Sequence, residues 1–217
     1  PMYAENRRLE RRQEVIKFLE NEGFNIDNIV DYSSAESENK FLEGTGSMIL
    51  DRENRIAYCS ISKRSNEDLF IEFCEDFEFL PILFNSYQSV DDNRLPIYHT
   101  NVMMCVALSY VVICLDSIDD NSQRKNVSEF IINSGKELIN ISENQVEKFA
   151  GNMLELLNDK GDSVLVMSKS AKDSLSKIQK NSIKKYSKII SSDINTIEVC
   201  GGGSARCMMA EIFLPKK

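Results

Sequence analysis

Hydrophobic positions along this chain alternate between a helical and a strand-like period, and the alternation recurs. From Asn6 to Glu20, Leu9, Val15, Ile16, Phe18 and Leu19 fall on one stripe with charges opposite, and Gly23 follows as a stop, so a helix is expected there. Ser47–Leu50 and Ile56–Ile61 are short β-rich runs on either side of the polar turn Asp51-Arg52-Glu53-Asn54, the pattern of a hairpin. Asn66–Phe77 then carries a helical stripe through Leu69, Phe70, Phe73 and Phe77, and Leu80–Phe84 reads as a further strand.

The order strand, strand, helix, strand returns twice. Val102–Ala107 and Tyr110–Leu115 predict a second hairpin, Val127–Asn133 a helix and Glu137–Ile141 a strand. Met153–Leu157 and Ser163–Met167, joined by Asn158-Asp159-Lys160-Gly161, predict a third hairpin, followed by helical segments over Ala171–Tyr186 and a strand over Lys188–Ser191. Met48, Met103 and Met153 open the three hairpins at spacings of 55 and 50 residues, and a fourth strand is expected over Cys207–Ile212. A repeat of that length implies an array of α/β modules, because one ββαβ unit cannot bury both faces of its own sheet. No Pro/Ser-rich linker interrupts the pattern, so residues 1–217 are expected to form one domain.

Charge narrows the classes of partner. The chain has 217 residues and a net charge of −8, with no long Lys/Arg run, which argues against nucleic-acid binding through a basic face. Apolar runs such as Val102–Leu115 fall short of the roughly 18 to 20 residues a spanning helix needs, so no membrane span is expected. Pro1–Arg12 lacks the apolar stretch of a signal peptide, and a cytoplasmic location is the default. Cys59, Cys74, Cys105 and Cys114 lie inside apolar runs and read as reduced core thiols.

The candidate chemistry lies just before the repeated strands. Phe41-Leu42-Glu43-Gly44-Thr45-Gly46-Ser47 precedes the first, Tyr98-His99-Thr100-Asn101 the second, and Gly201-Gly202-Gly203-Ser204-Ala205-Arg206-Cys207 the fourth. If equivalent strand starts converge on one axis, Glu43, His99 and Cys207 meet. His99 is the only histidine, and Cys207 follows three of the nine glycines, which let backbone approach backbone or ligand closely. A thiol beside a histidine ionises more readily, and a carboxylate on the other ring nitrogen fixes the tautomer, so this trio has the parts for covalent catalysis. One Cys, one His and one Glu are also metal-ligand types, but the paired spacing of a structural zinc site is missing and no metal or organic cofactor is required.

These same segments resemble the Glu, His and Cys motifs of the amidinotransferase or pentein superfamily of guanidine-modifying enzymes. The matching residues are Phe41-Leu42-Glu43-Gly44-Thr45-Gly46, Tyr98-His99-Thr100-Asn101-Val102-Met103-Met104 and Gly201–Met208, and Asn6–Arg12 is similar to an early segment of its citrulline hydrolase-like branch, which is related to the dimethylarginine hydrolases. The resemblance implies a five-bladed α/β propeller of ββαβ units. Five units of roughly this length need about 270 residues, so an N-terminal blade is expected to be lacking, and with it a Phe-Pro-Asn segment and an acidic residue that grip the substrate nitrogens. The open flank implies a homodimer covering the Pro1–Gly23 helix.

By this resemblance Cys207 attacks a ureido or guanidino carbon of a small amino acid, His99 moves protons and Glu43 holds His99. The Gly202 and Gly203 amides face developing negative charge, and Arg7, Arg8 and Arg206 are candidates for the substrate carboxylate. Arginine deiminases resemble the chain at the histidine motif but carry Asp where Asn101 stands. An amide can donate to a ureido oxygen and brings no charge to a guanidinium, so the motif points to citrulline, hydrolysed to ornithine, ammonia and carbon dioxide. The alternatives are a dimethylarginine hydrolase, an arginine deiminase, or a non-catalytic propeller-fold binding protein or inactive remnant.

Overall fold

Three similar sheets carry the fold of the computed structural model, which describes residues 1–217. In the first, β1 (Met48–Asp51) runs antiparallel to β2 (Ile56–Ser60), and β2 runs parallel to β3 (Leu80–Phe84). The parallel step needs a crossover, and the helix Glu67–Asp76 supplies it, started by the Asn66 side chain accepting from the Leu69 amide. After a small hairpin of β4 (Tyr87–Val90) and β5 (Asn93–Pro96), the same pattern returns in β6 (Met104–Val106), β7 (Tyr110–Ile113) and β8 (Glu137–Asn140), with the helix Asn121–Asn133 between the last two. It returns again in β9 (Leu154–Leu157), β10 (Ser163–Ser168) and β11 (Lys188–Ser192).

Each unit starts its hairpin on the inside of the molecule. Strand β1 packs beside β6 and β6 beside β9, while Met48, Met103 and Met153 are all buried where those strands begin. The largest core runs through the second and third sheets and reaches Tyr58, Ile82 and Phe84 of the first; a smaller one, with Leu69, Phe70 and Cys74, lies under the first sheet. Units one and two are also clamped by a buried ion pair. Lys136 Nζ lies 3.4 Å from Asp51 at the end of β1 and donates to the carbonyls of Ala107 and Leu108 in the β6–β7 turn.

Two expectations differ from the fold, and one hairpin was not expected at all. The helix expected over Asn6–Glu20 is broken into a 3₁₀ segment Glu5–Glu10 and a helix Gln13–Asn21, because Arg11 turns out of the helical path to pair with Glu36. Leu9, Val15 and Phe18 on its apolar stripe are exposed. The helical segments expected over Ala171–Tyr186 are present as two helices, Lys169–Ser174 and Lys177–Lys184, since the Ser168 and Ser176 side chains each cap a separate start. No strand forms over Cys207–Ile212. That segment begins inside a 3₁₀ turn, Ala205–Met208, and only residues 215–217 beyond it find main-chain partners, at residues 23–25, so its β-prone side chains have no sheet to join. Finally, β4 and β5 were absent from the hydrophobic pattern; their turn rests on Asp91 and Asp92, both with positive φ. No helix is long and apolar enough to cross a membrane.

Candidate active site

Glu43 is placed by two buried neighbours and a tight turn. Phe41 and Leu42 enter the core, Gly44 takes a left-handed φ of 54°, and the Glu43 amide donates to Ser47 Oγ at 2.8 Å. The carboxylate then faces the second unit. Its Oε2 lies 2.7 Å from His99 Nε2, and its Oε1 accepts from the Tyr3 amide at 2.9 Å. Burial pushes the Glu43 carboxyl up, but the bonds from His99 and Tyr3 and the nearby Arg64 guanidinium outweigh it and hold the group below its usual range. His99 in turn is seated by its neighbour. Thr100 is buried, accepts from the Ser60 amide at 2.8 Å and donates to the Ser47 carbonyl. The ring rests against Gly46, where a Cβ would lie 2.9 Å from Nδ1.

Cys207 approaches from the C-terminal segment. Gly202 caps the helix Asn195–Gly201 with φ 68°, and the Cys207 amide donates to the Ser204 carbonyl within the following 3₁₀ turn. Ser204 is buried and donates to Glu198, which anchors the loop from below. The third unit contributes as well. Gly151 packs so closely on the Val102 carbonyl that a Cβ would come within 2.3 Å, and this brings Asn152 to Cys207, with Nδ2 3.3 Å from Sγ. Asn101 Nδ2 lies 3.9 Å from the same sulfur, while its Oδ1 is buried without a partner. Glu43, His99, Asn101, Asn152 and Cys207 all line one cavity of about 890 Å³. A general acid–base pair and a thiol on one cleft wall can carry out nucleophilic substitution at an sp² carbon. No group of three or more His, Cys, Asp and Glu residues is placed to hold a metal ion.

A model of the family described as N,N dimethylarginine dimethylhydrolase, eukaryotic, matches residues 1–214. The chain belongs to that family. Family membership also places it in the amidinotransferase or pentein superfamily, and solved structures share the fold. An arginine dihydrolase from the ornithine–ammonia cycle in cyanobacteria superposes with a TM-score of 0.66 at 17% identity, over 99% of this chain and 31% of that one. Its separate N-terminal domain, bound to product, gives 0.65 at 17% identity, over 95% of this chain and 66% of that one. An amidinotransferase from Microseira wollei, of the saxitoxin biosynthetic pathway, gives 0.59 at 11% identity, over 100% of this chain and 65% of that one. The chain thus spans about a third of the full-length cyanobacterial enzyme. No curated protein matches it by sequence.

In this dimethylarginine dimethylhydrolase family member the other residues expected at the site divide. Arg7 lines the cavity and pairs with Glu10 at 3.0 Å, while Gly202 and Gly203 form part of the wall. Arg206 also lines it, but its guanidinium is engaged by the Met209 carbonyl at 3.0 Å and by Glu211 at 3.6 Å. Arg8 does not reach the cavity: its Nε donates to the Met2 carbonyl and lies 3.2 Å from Glu36, which corrects its assignment to the substrate carboxylate. Two residues escaped the sequence reading. Arg64 follows β2, stacks over Tyr98 and stands 3.6 Å from Glu43. Asn152 sits at the start of the third unit in Gly151-Asn152-Met153, the one strand start left out when the other three were compared.

Proposed function

We propose that this chain hydrolyses the guanidino carbon–nitrogen bond of a small arginine derivative through a covalent intermediate on Cys207. The observation that carries the reading is the meeting of the Glu43–His99 pair and Cys207 on one cavity, from three separate segments of chain. N-methylated arginine is the substrate class that the family brings forward. The Cys207 thiolate adds to the guanidino carbon, forming an S–C bond. As the bond to the methylated nitrogen breaks, His99 gives that nitrogen its proton and a methylated amine leaves. Water then loses a proton to His99 and adds to the same carbon; the C–S bond breaks, releasing a ureido amino acid and the thiolate. Glu43 accepts the Nε2 hydrogen throughout, which leaves Nδ1 as the nitrogen that handles the transferred proton. Arg64 and Arg7 are the cations on the wall best placed for the substrate carboxylate.

Asn101 bears on substrate choice. It lies on the cavity wall beside the Cys207 sulfur, and a carboxamide there can offer a ligand either a donor, as a ureido oxygen requires, or an acceptor, as a guanidino N–H requires. The second reading, citrulline, is favoured by the neutrality of the same amide, which leaves a guanidinium without a countercharge at that point. The three sheets fit the inner-strand arrangement of a pentein-type propeller, read here as one domain over residues 1–217. The test is to incubate the protein separately with asymmetric dimethylarginine and with citrulline and measure dimethylamine, citrulline and ammonia. Dimethylamine with equimolar citrulline, lost in Cys207→Ser, supports the proposal. Ammonia from citrulline alone favours the second reading, and no product from either substrate overturns both.

A further inference from the structure

Phe149 stands in a backbone conformation that its residue type avoids. The short helix Glu143–Val146 ends in a turn where the Phe149 amide donates to the Val146 carbonyl at 2.8 Å and the Ala150 amide to the Gln145 carbonyl at 3.0 Å. That pair of bonds closes a helix around a left-handed residue, most often glycine, and here the left-handed residue is Phe149, with φ 63°. Bulky side chains rarely enter that region, and residues held there gather at functional sites. The other five non-glycine residues with positive φ, Asn39, Arg55, Glu78, Asp91 and Asp92, are polar or charged and exposed. Phe149 is partly buried yet belongs to neither apolar core, although Val146 and Ala150 on either side of it do. It lines the active-site cavity instead. The turn has no room to relax, because Val146 and Ala150 are buried and Gly151 is pressed onto the Val102 and Met103 backbone.

The rest of the cavity wall shows what the ring can do. Phe149 is tied to the reacting end, since its carbonyl accepts from the Asn152 amide at 2.9 Å and Asn152 Nδ2 lies 3.3 Å from the Cys207 sulfur. The side chains at that sulfur, Asn101 and Asn152, are neutral amides. Glu43 is taken up by His99, the Tyr3 amide and Arg64, and Glu147, the other carboxylate on the wall, is exposed. Tyr98 lies under Arg64, whose guanidinium is 4.9 Å from its ring centroid, whereas Phe149 carries no such cation. A guanidinium beside Cys207 gives up water, and an aromatic face attracts a cation most strongly when both are desolvated. We propose that Phe149 is a specificity-determining residue: its ring supplies the face that holds a cationic, N-alkylated guanidinium in preference to a neutral ureido group. The strain of the turn is retained for the side chain it presents to the cavity. This inference rests on reading the cavity as a guanidino hydrolase site and adds to it a means of choosing among ligands.

The experiment is calorimetric titration of the Cys207→Ser protein, which lacks the attacking thiol, with asymmetric dimethylarginine and with citrulline, alone and combined with Phe149→Leu, Phe149→Gly or Phe149→Tyr. Leu keeps apolar bulk and Gly suits the turn, but both remove the aromatic face. In each, the ratio of dimethylarginine affinity to citrulline affinity should fall about tenfold, while Tyr should keep it within about twofold. A ring that only packs would weaken both ligands alike, so an unmoved ratio in folded Phe149→Leu or Phe149→Gly overturns the proposal. Loss of the ratio in Phe149→Tyr, or failure of the Cys207→Ser protein to bind dimethylarginine, overturns it as well. Thermal unfolding without ligand is a second check. Phe149→Gly relieves the left-handed strain and removes no core side chain, so its midpoint should stay within about 5 °C of the parent or rise above it. A larger fall would make the ring a packing residue and overturn the assignment. Binding with the expected loss of ratio, but no dimethylamine from the unmodified protein, would refute the proposed activity and leave this inference standing; dimethylamine release with an unmoved ratio would do the reverse.

Discussion

Replacing Gly46 by alanine should separate the proton-transfer chemistry from the stability of the fold. Gly46 lies within the short helix Gly44–Ser47 and is not among the glycines with positive φ, so its backbone accepts a side chain without strain. The obstacle is His99. An alanine Cβ would sit 2.9 Å from Nδ1, 3.0 Å from Cε1 and 3.2 Å from Cγ, so the ring must retreat by several tenths of an ångström from normal carbon contact distance. Retreat is opposed by the 2.7 Å bond to Glu43 and by Thr100, which is anchored on both sides. Because the methyl crowds Nδ1, the nitrogen not bonded to Glu43, the loss falls on general acid–base catalysis, a contribution of about 10²–10⁴ in rate. Stability should move far less. Ala over Gly in a helix gains about 1 kcal/mol, and overpacking costs about 1–3 kcal/mol, so the net change is about 2 kcal/mol or less. The assay is kcat on the substrate the unmodified protein turns over, beside thermal unfolding and the NMR chemical shifts of the His99 ring, whose signals are unambiguous because it is the only histidine. The expected result is kcat down by about 10² or more with displaced His99 ring signals in a folded protein. Unchanged kcat together with unchanged ring signals would refute the geometry of the pair.

The buried thiols should separate from the exposed ones in alkylation, since burial pushes Cys59 and Cys105 up to about 12 and Cys74 up to about 11 and also raises Cys114. At mildly alkaline pH, iodoacetamide should label Cys207 and the exposed Cys200 first, and mass spectrometry showing all six modified together in folded protein would contradict this core. Lys136→Met strands Asp51 in the interior and should lower stability by about 3–5 kcal/mol in urea unfolding; a loss under about 1 kcal/mol would mean the clamp between the first two units is idle. The Glu36 carboxyl is held down at about 2 by its hydrogen bond to Arg11, aided by the Met2 amide and Arg8, against an ordinary value of 4.5. A depressed folded-state pKa means stability that is present above about 4.5 and drains away as the pH falls toward 2, so the attachment of residues 1–12 should weaken over that window. Limited acid proteolysis should cut this segment progressively earlier there, and a Glu36→Gln variant with the same acid profile would show that the pairing has no part in it.

The repeat was legible in the sequence because each unit obeys one burial rule. Strands β2 and β7 are buried on both faces and read as continuous apolar runs, whereas the amphipathic crossover helices read at helical spacing. Glu43, His99 and Cys207 were legible for a related reason, since glycines and a lone histidine interrupt that rule at equivalent places. What failed depended on contacts distant in sequence. Arg11 breaks its helix through Glu36, 25 residues away, and Cys207–Ile212 has strand composition but no neighbouring strand, so local propensity had nothing to act on. Arg8 was assigned by its charge alone, and charge does not reveal that the side chain is taken up by Glu36 and the Met2 carbonyl. Asn152 precedes the one hairpin left out when the other strand starts were compared, which is why the sequence reading passed over it although it touches the sulfur.

The places where chemistry gathers are the places where a side chain is missing from an adjoining stretch of chain. Gly46 of the first unit makes room for His99 of the second, Gly151 of the third lets its strand start close on the carbonyl of Val102, and Gly203 lies against Cys207, where a Cβ would meet the cysteine Cβ at 3.3 Å. None of these three glycines has a positive φ, so proximity and not backbone conformation selects them there. Where neighbouring units approach this closely, with β1 beside β6 and β6 beside β9, two full-sized side chains cannot share the contact. One partner in each contact has to be small, and the other is then held by backbone on at least one side. His99 against Gly46 is therefore positioned by the packing of two units and Cys207 against Gly203 by the tightness of its own loop, and the hydrogen bonds from Glu43 and Asn152 act on groups whose freedom is already restricted. Substitutions at these glycines should accordingly impair the site more than equally conservative substitutions in the outer strands β3, β8 and β11, which lie away from it.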